Sequence, residues 1–156
     1  MKPIPEVGIK DTILQNALED SVCHIILESK KITITQLPFQ SDSTIPLSSK
    51  KIKQKNLSLI RFIVNNPENY LSNKPVYGEF IPQIEVKYNL KKRIIVLKYD
   101  FGLRKWGVFD HEEKCIAMFD LASDDMLRYA CQLFPDNTFF SDLLLSRLSS
   151  NDFQTN

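Results

Sequence analysis

Apolar and polar positions alternate most regularly over residues 83–120. Ile84, Val86 and Tyr88 point one way while Glu85 and Lys87 point the other, the period-two signature of a half-buried strand. Arg93 to Tyr99 holds the run Ile94-Ile95-Val96-Leu97, which has no polar partner positions and reads as a central strand covered on both faces. Leu103 to Phe109, with Trp106 and Val108 on one face, and Cys115 to Phe119 give two more strands. Turns over 89–92, 100–102 and 110–114 join the four into an antiparallel meander.

Before the meander the period changes. Ile13, Leu14, Ala17, Leu18, Val22 and Ile25 recur at three-to-four spacing, which predicts a helix from Asp11 or Thr12, either a suitable N-cap, to Glu28. The β-branched run Ile32-Thr33-Ile34-Thr35 predicts a strand. Leu37 to Ser49, with two Pro and four Ser, reads as a loop pinned by Phe39 and Ile45. Leu57, Ile60, Ile63 and Val64 make a short helix that Asn65-Asn66-Pro67 ends, because Pro cannot continue a helix. After the meander, Ser123 caps a helix with Met126, Leu127, Ala130, Leu133 and Phe134 on its inner stripe. Thr138 caps a last helix carrying Phe139, Leu143, Leu144 and Leu148. The pattern as a whole predicts an α+β fold: an antiparallel sheet of four to five strands with helices packed on one face. It places one domain over 1–148 and a flexible tail over 149–156.

Composition changes this picture little. The 156 residues are 43% hydrophobic and 25% charged, ordinary for a globular chain. Three cysteines without CxxC spacing point to reduced thiols. No N-terminal apolar core and no long apolar run appear, so a cytoplasmic protein without a membrane span is expected. Charge is more telling. Residues 1–105 carry 17 Lys and Arg against 10 Asp and Glu, whereas residues 106–156 carry 3 against 9. Such polarity suits two complementary faces of one domain, or a charged partner surface.

Candidate chemistry is sparse. Asp100-Phe101-Gly102 resembles the magnesium-binding segment of protein kinases, but the glycine-rich loop, the lysine–glutamate pair and the catalytic loop are absent. The string reads instead as a turn in which Asp100 accepts backbone N–H groups and Gly102 takes a positive φ. His111-Glu112-Glu113-Lys114-Cys115 falls in a turn entering a strand, so it does not present two ligands on one helix face as a zinc HExxH helix does. A thiol–imidazole pair of Cys23 or Cys131 with His111 is the remaining enzymatic option. No cofactor or metal is expected.

Two charged groupings remain. Lys50 to Lys55, Lys91-Lys92-Arg93 and Arg104-Lys105 could merge into a basic patch. With Tyr88, Tyr99 or Trp106 exposed beside it, such a patch would bind nucleic acid, a secondary reading because the glycine-aromatic signature of RNA-recognition sheets is missing. The acidic tip Asp110-His111-Glu112-Glu113, with Asp120, Asp124 and Asp125 expected near the same end, could dock a basic partner protein. Trp106 would then be its aromatic anchor and Arg104 would lie beside it. In size and layout the chain resembles the small α+β immunity or inhibitor proteins that neutralise an enzyme or toxin by covering its surface. That resemblance implies a non-catalytic protein-binding domain; a small-ligand or Cys/His enzymatic domain is the alternative.

Overall fold

The computed structural model describes residues 17–38, 48–75 and 77–154, with side chains to residue 149. The fold is α+β: a six-stranded antiparallel sheet with four α-helices among the described residues. In chain order the elements are α1 (Asp20–Glu28), β1 (Lys31–Gln36), β2 (Ser49–Lys51), α2 (Leu57–Val64), β3 (Ile84–Leu90), β4 (Arg93–Asp100), β5 (Lys105–Asp110), β6 (Cys115–Asp120), α3 (Asp125–Leu133) and α4 (Thr138–Gln154). Short 3-10 helices cover Gln54–Asn56 and Pro67–Tyr70. The chain divides into two compact units, one up to Ala122 and one from Ser123 on.

In the first unit the sheet order is β2-β1-β3-β4-β5-β6. The expected meander β3 to β6 is present, and β1 pairs antiparallel with β3 to extend it. The sixth strand is β2, which the sequence pattern assigns to a loop and a basic lead-in. Its three residues, Ser49-Lys50-Lys51, are all exposed and carry no apolar alternation to read. It forms because β1 offers an edge: Thr33 lies opposite Lys51 and Thr35 opposite Ser49.

One face of the sheet is the core. Ile32 and Ile34 of β1, Ile84, Val86 and Tyr88 of β3, Ile95, Leu97 and Tyr99 of β4, and Trp106 and Val108 of β5 are all buried. Helix α1 lies against β3 and β4 on this face with Val22, Cys23, Ile25 and Ile26 turned inward. Helix α2 adds Ile60, Ile63 and Val64. Ile26, Ile32, Ile60, Arg61 and Tyr88 line a water-sized cavity of about 10 Å³ between these elements. Each core side chain contributes roughly 1.5–3 kcal/mol by leaving water.

The other face is half-buried. Ile94 and Val96 of β4 point there and are partly exposed, so β4 is interior to the sheet but not covered equally on both sides. Phe80 stacks on Phe109 on this face, with centroids 6.1 Å apart, and the Lys98 ammonium sits 4.9 Å from the centre of the Phe109 ring. Gly107 makes this packing possible, since a Cβ there would stand 3.0 Å from both the Ala117 carbonyl and the Phe109 ring.

Two local readings change. The continuous helix from residue 11 is interrupted: Glu19 is extended (φ −64°, ψ 151°) and α1 starts at Asp20. Asp11, Thr12, Phe39 and Ile45 lie outside the described residues. At the β4–β5 turn the Asp100 carboxylate does accept N–H bonds, from Ile81 at 2.8 Å and Leu103 at 2.9 Å. The positive φ, however, belongs to Arg104 (58°) rather than Gly102.

In the second unit the N-cap of α3 is Asp124 rather than Ser123, which stands one residue earlier and accepts the Asp125 N–H on its Oγ at 3.2 Å. The cap of α4 is Asn137, not Thr138: its Oδ1 accepts the Phe140 N–H at 3.2 Å. Phe140, outside the predicted stripe, is fully buried, while Leu148 is exposed. Helix α4 continues to Gln154, past the expected start of the tail.

Candidate functional site

The six residues expected to meet a partner do not form one patch. Trp106 belongs to the core. It sits on the inward row of β5, 1% exposed, stacked on Tyr99 (5.3 Å, 9°) and edge-on to Tyr70 (5.2 Å, 86°). Its Nε1–H donates to the Asn69 carbonyl at 2.7 Å, so the indole's polar group is satisfied inside the fold. An indole so enclosed has no surface to give a partner.

Arg104 is exposed, but it stands before β5, whereas Asp110 ends that strand. Six steps of extended chain put roughly 20 Å between them. The remaining four residues do stay together as the tip of the β5–β6 hairpin. Asp110 organises it: its Oδ1 accepts the Glu112 and Lys114 N–H groups, both at 2.9 Å. Glu113 takes a positive φ of 65° and reaches Lys98 at 3.7 Å. His111 Nε2 lies 3.6 Å from the Glu112 carboxylate, and both side chains are largely exposed.

Asp120 is not near this tip. It ends β6, at the far end of the hairpin, and is buried against Lys105, whose ammonium it binds. Its other oxygen accepts the N–H groups of Asn73 (2.9 Å) and Lys74 (3.0 Å). Burial alone would raise this carboxyl's pKa, but the Lys105 ammonium and the two N–H bonds outweigh burial and hold it below the usual carboxylate value. Asp124, in the second unit, pairs with Arg147 at 2.9 Å.

The basic groups sort themselves by register. Lys105 is committed to Asp120, and Arg104 shares its end of the sheet. The other two groups converge at the opposite end. Thr33 of β1 has Lys51 directly opposite on one side and Lys87 on the other, and Lys31 lies opposite Asn89. The β3–β4 turn, Lys91-Lys92, closes that same end with Arg93 paired to Leu90. All six cations are exposed, and none makes an ion pair with a described carboxylate. Because Ile95 lies opposite Asp110, the acidic tip rises from this end too, beyond β4. One end of the sheet is therefore basic over β2, β1, β3 and the start of β4, and acidic at the β5–β6 hairpin.

The sequence pattern names Lys50 to Lys55 and Lys91-Lys92-Arg93 but not Lys31 or Lys87. Only strand register shows that these join them. The expected aromatic platform is not beside them: Tyr88, Tyr99 and Trp106 are buried on the opposite face.

Cys23 is buried and its pKa is raised, first by burial and then by the Asp20 charge; burial also raises that of Cys131. Cys115 opens β6 and is exposed. No three His, Cys, Asp or Glu side chains gather as a metal site among the described residues. No family model, curated protein or solved structure matches the chain.

Proposed function

We propose that the chain is a non-catalytic binding domain whose working surface is the charged end of the sheet. The observation that supports this reading is the division of that end into a basic half and an acidic tip, both held on paired strands. The charges spread over several strands and none of them lines the described cavity, which suits a macromolecular partner better than a small ligand. Where the partner is a protein, Asp110, His111, Glu112 and Glu113 are the contact, and an immunity- or inhibitor-type role follows if that protein is an enzyme or toxin. Arg104 is too distant to share the contact. A reducing cytoplasmic setting fits Cys23, Cys115 and Cys131, which form no disulfide. None of the described helices is long and apolar enough to cross a membrane.

Affinity capture from cell extract, read by mass spectrometry, tests the proposal. The wild-type chain should retain a partner that is lost both by E112K/E113K and by the quadruple variant K51Q/K87Q/K91Q/K92Q, or by one of them. A retained set indifferent to both variants would sink the assignment of this end.

A further inference from the structure

Resting on that reading of the sheet end, we propose that its basic half binds the phosphate backbone of a nucleic-acid duplex, without reading sequence. The core of the site is Lys31, Lys51, Lys87, Lys91, Lys92 and Arg93. Lys31, Lys51 and Lys87 share the outward face of β1, β2 and β3. Lys31 and Lys87 are diagonal neighbours, about 7–8 Å apart at the backbone. Lys51 and Lys87 flank β1, two strand spacings or roughly 10 Å apart. Like charges this close repel one another in the free protein. An anion that spans them relieves the repulsion.

Edge protection does not explain this set. Lysines on an edge strand discourage sheet-to-sheet pairing, and Lys50 and Lys51 on β2 can serve that end. Lys87, however, lies on β3 with Thr33 of β1 opposite it on one side and Val96 of β4 on the other. The turn adds a second argument. Lys91 and Lys92 both have positive φ, 50° and 70°, where a two-residue hairpin loop favours Asn-Gly. Two lysines occupy left-handed positions that cost a side chain roughly 1–2 kcal/mol each.

The residue types choose the ligand. Five of these six cations are lysines, compact point charges that suit phosphate oxygens, while a forked guanidinium is the better match for a protein carboxylate. Lysine is also depleted in protein–protein interface cores. With Tyr88, Tyr99 and Trp106 buried, no aromatic ring from this sheet is offered for base stacking, which single strands use. A duplex carries one charge per about 1.7 Å of axis and needs no stacking partner.

Fluorescence anisotropy with a labelled 20-base-pair DNA duplex and a duplex RNA, at several salt concentrations, tests the proposal on the full chain. Binding should weaken with salt at a log–log slope of about −5 if all six cations meet phosphates. K51Q/K87Q/K91Q/K92Q should lose most of the affinity and flatten the slope by about 3–4. K74Q/R104Q/R128Q, a charge-changed control elsewhere, should bind almost as the wild type does, and circular dichroism confirms that both variants fold. Equal loss in the control, a single strand bound as tightly as the duplex, or no duplex binding at low salt each overturns the proposal. Preference for polyglutamate or for phosphatidylserine vesicles also overturns it while leaving the sheet end as the working surface. If no ligand here and no captured partner depends on these four lysines, both readings fall.

Discussion

Asp120 shows how one buried charge can hold a segment that has no regular structure. One of its carboxylate oxygens and its N–H fix residues 71–74 to the end of β6, through Asn73, Lys74 and the Leu71 carbonyl, and Lys105 neutralises it at the other oxygen while donating to the Lys74 carbonyl at 2.6 Å. Its carboxyl pKa is depressed on folding, so the stability it lends is fully present above the ordinary carboxylate value and is lost as pH falls through the folded one. We expect Asp120→Asn to cost about 3 kcal/mol near neutral pH, because Lys105 is left buried without its counter-charge. Urea unfolding should show the gap between wild type and variant steady from about pH 7 to about pH 5 and closing below about pH 4. A gap unchanged at acid pH would mean that the carboxylate contributes through shape alone. Nothing in the sequence marks Asp120 as buried. It reads as one more acid beside Asp124 and Asp125, and only the strand register that brings Lys105 opposite it reveals the pair. The alternation that sets Trp106 and Val108 on one face of β5 leaves Trp106 either a core plug or an anchor. The buried carbonyl of Asn69, remote in sequence, makes it the plug.

Elements were legible where side chains alternate or recur, and illegible where the backbone alone decides. The meander β3 to β6 and helices α2 and α3 follow from their apolar periods. Strand β2 does not, because three exposed residues have no pattern and pair only with the edge that β1 supplies. Which loop residue takes a positive φ was equally hidden. With only four glycines in the chain, Lys91, Lys92, Arg104 and Glu113 fill those positions. The β3–β4 turn lets fold and proposed function be weighed against each other. An asparagine followed by a glycine would suit this backbone better, so the double substitution Lys91→Asn, Lys92→Gly should stabilise the chain by about 1–2 kcal/mol. It should also weaken duplex binding and lessen its salt slope by about 2. A rise in thermal midpoint with unchanged binding would place these two lysines outside the contact.

For the molecule as a whole, strand order predicts where the sheet opens. β3 and β4 are paired along both sides, whereas β2 is three residues long and β6 is an edge. Local opening follows such differences in pairing and burial, so amide hydrogen exchange should rank them. The inward strands β3 and β4 should exchange slowest, and Ser49–Lys51 fastest among the strands. β6 should behave as two parts. Its start, where the register shifts between Val108 and Phe109 and Ile116 is 39% exposed, should exchange quickly. Its end should be slow, because the Asp120 N–H is bound to the Leu71 carbonyl at 2.7 Å. Asp120→Asn should leave β3 and β4 the slowest strands while speeding exchange at Asn73, Lys74 and position 120. Uniform exchange along β6 in the wild type would show that residues 71–74 do not clamp that edge. Adding duplex DNA extends the test to the charged end. Slowing confined to the β3–β4 turn and β2 fits phosphates resting on Lys51, Lys87 and Lys91. Slowing at the acidic tip Asp110–Glu113 instead would move the contact across the sheet, to the half that a basic partner protein would use.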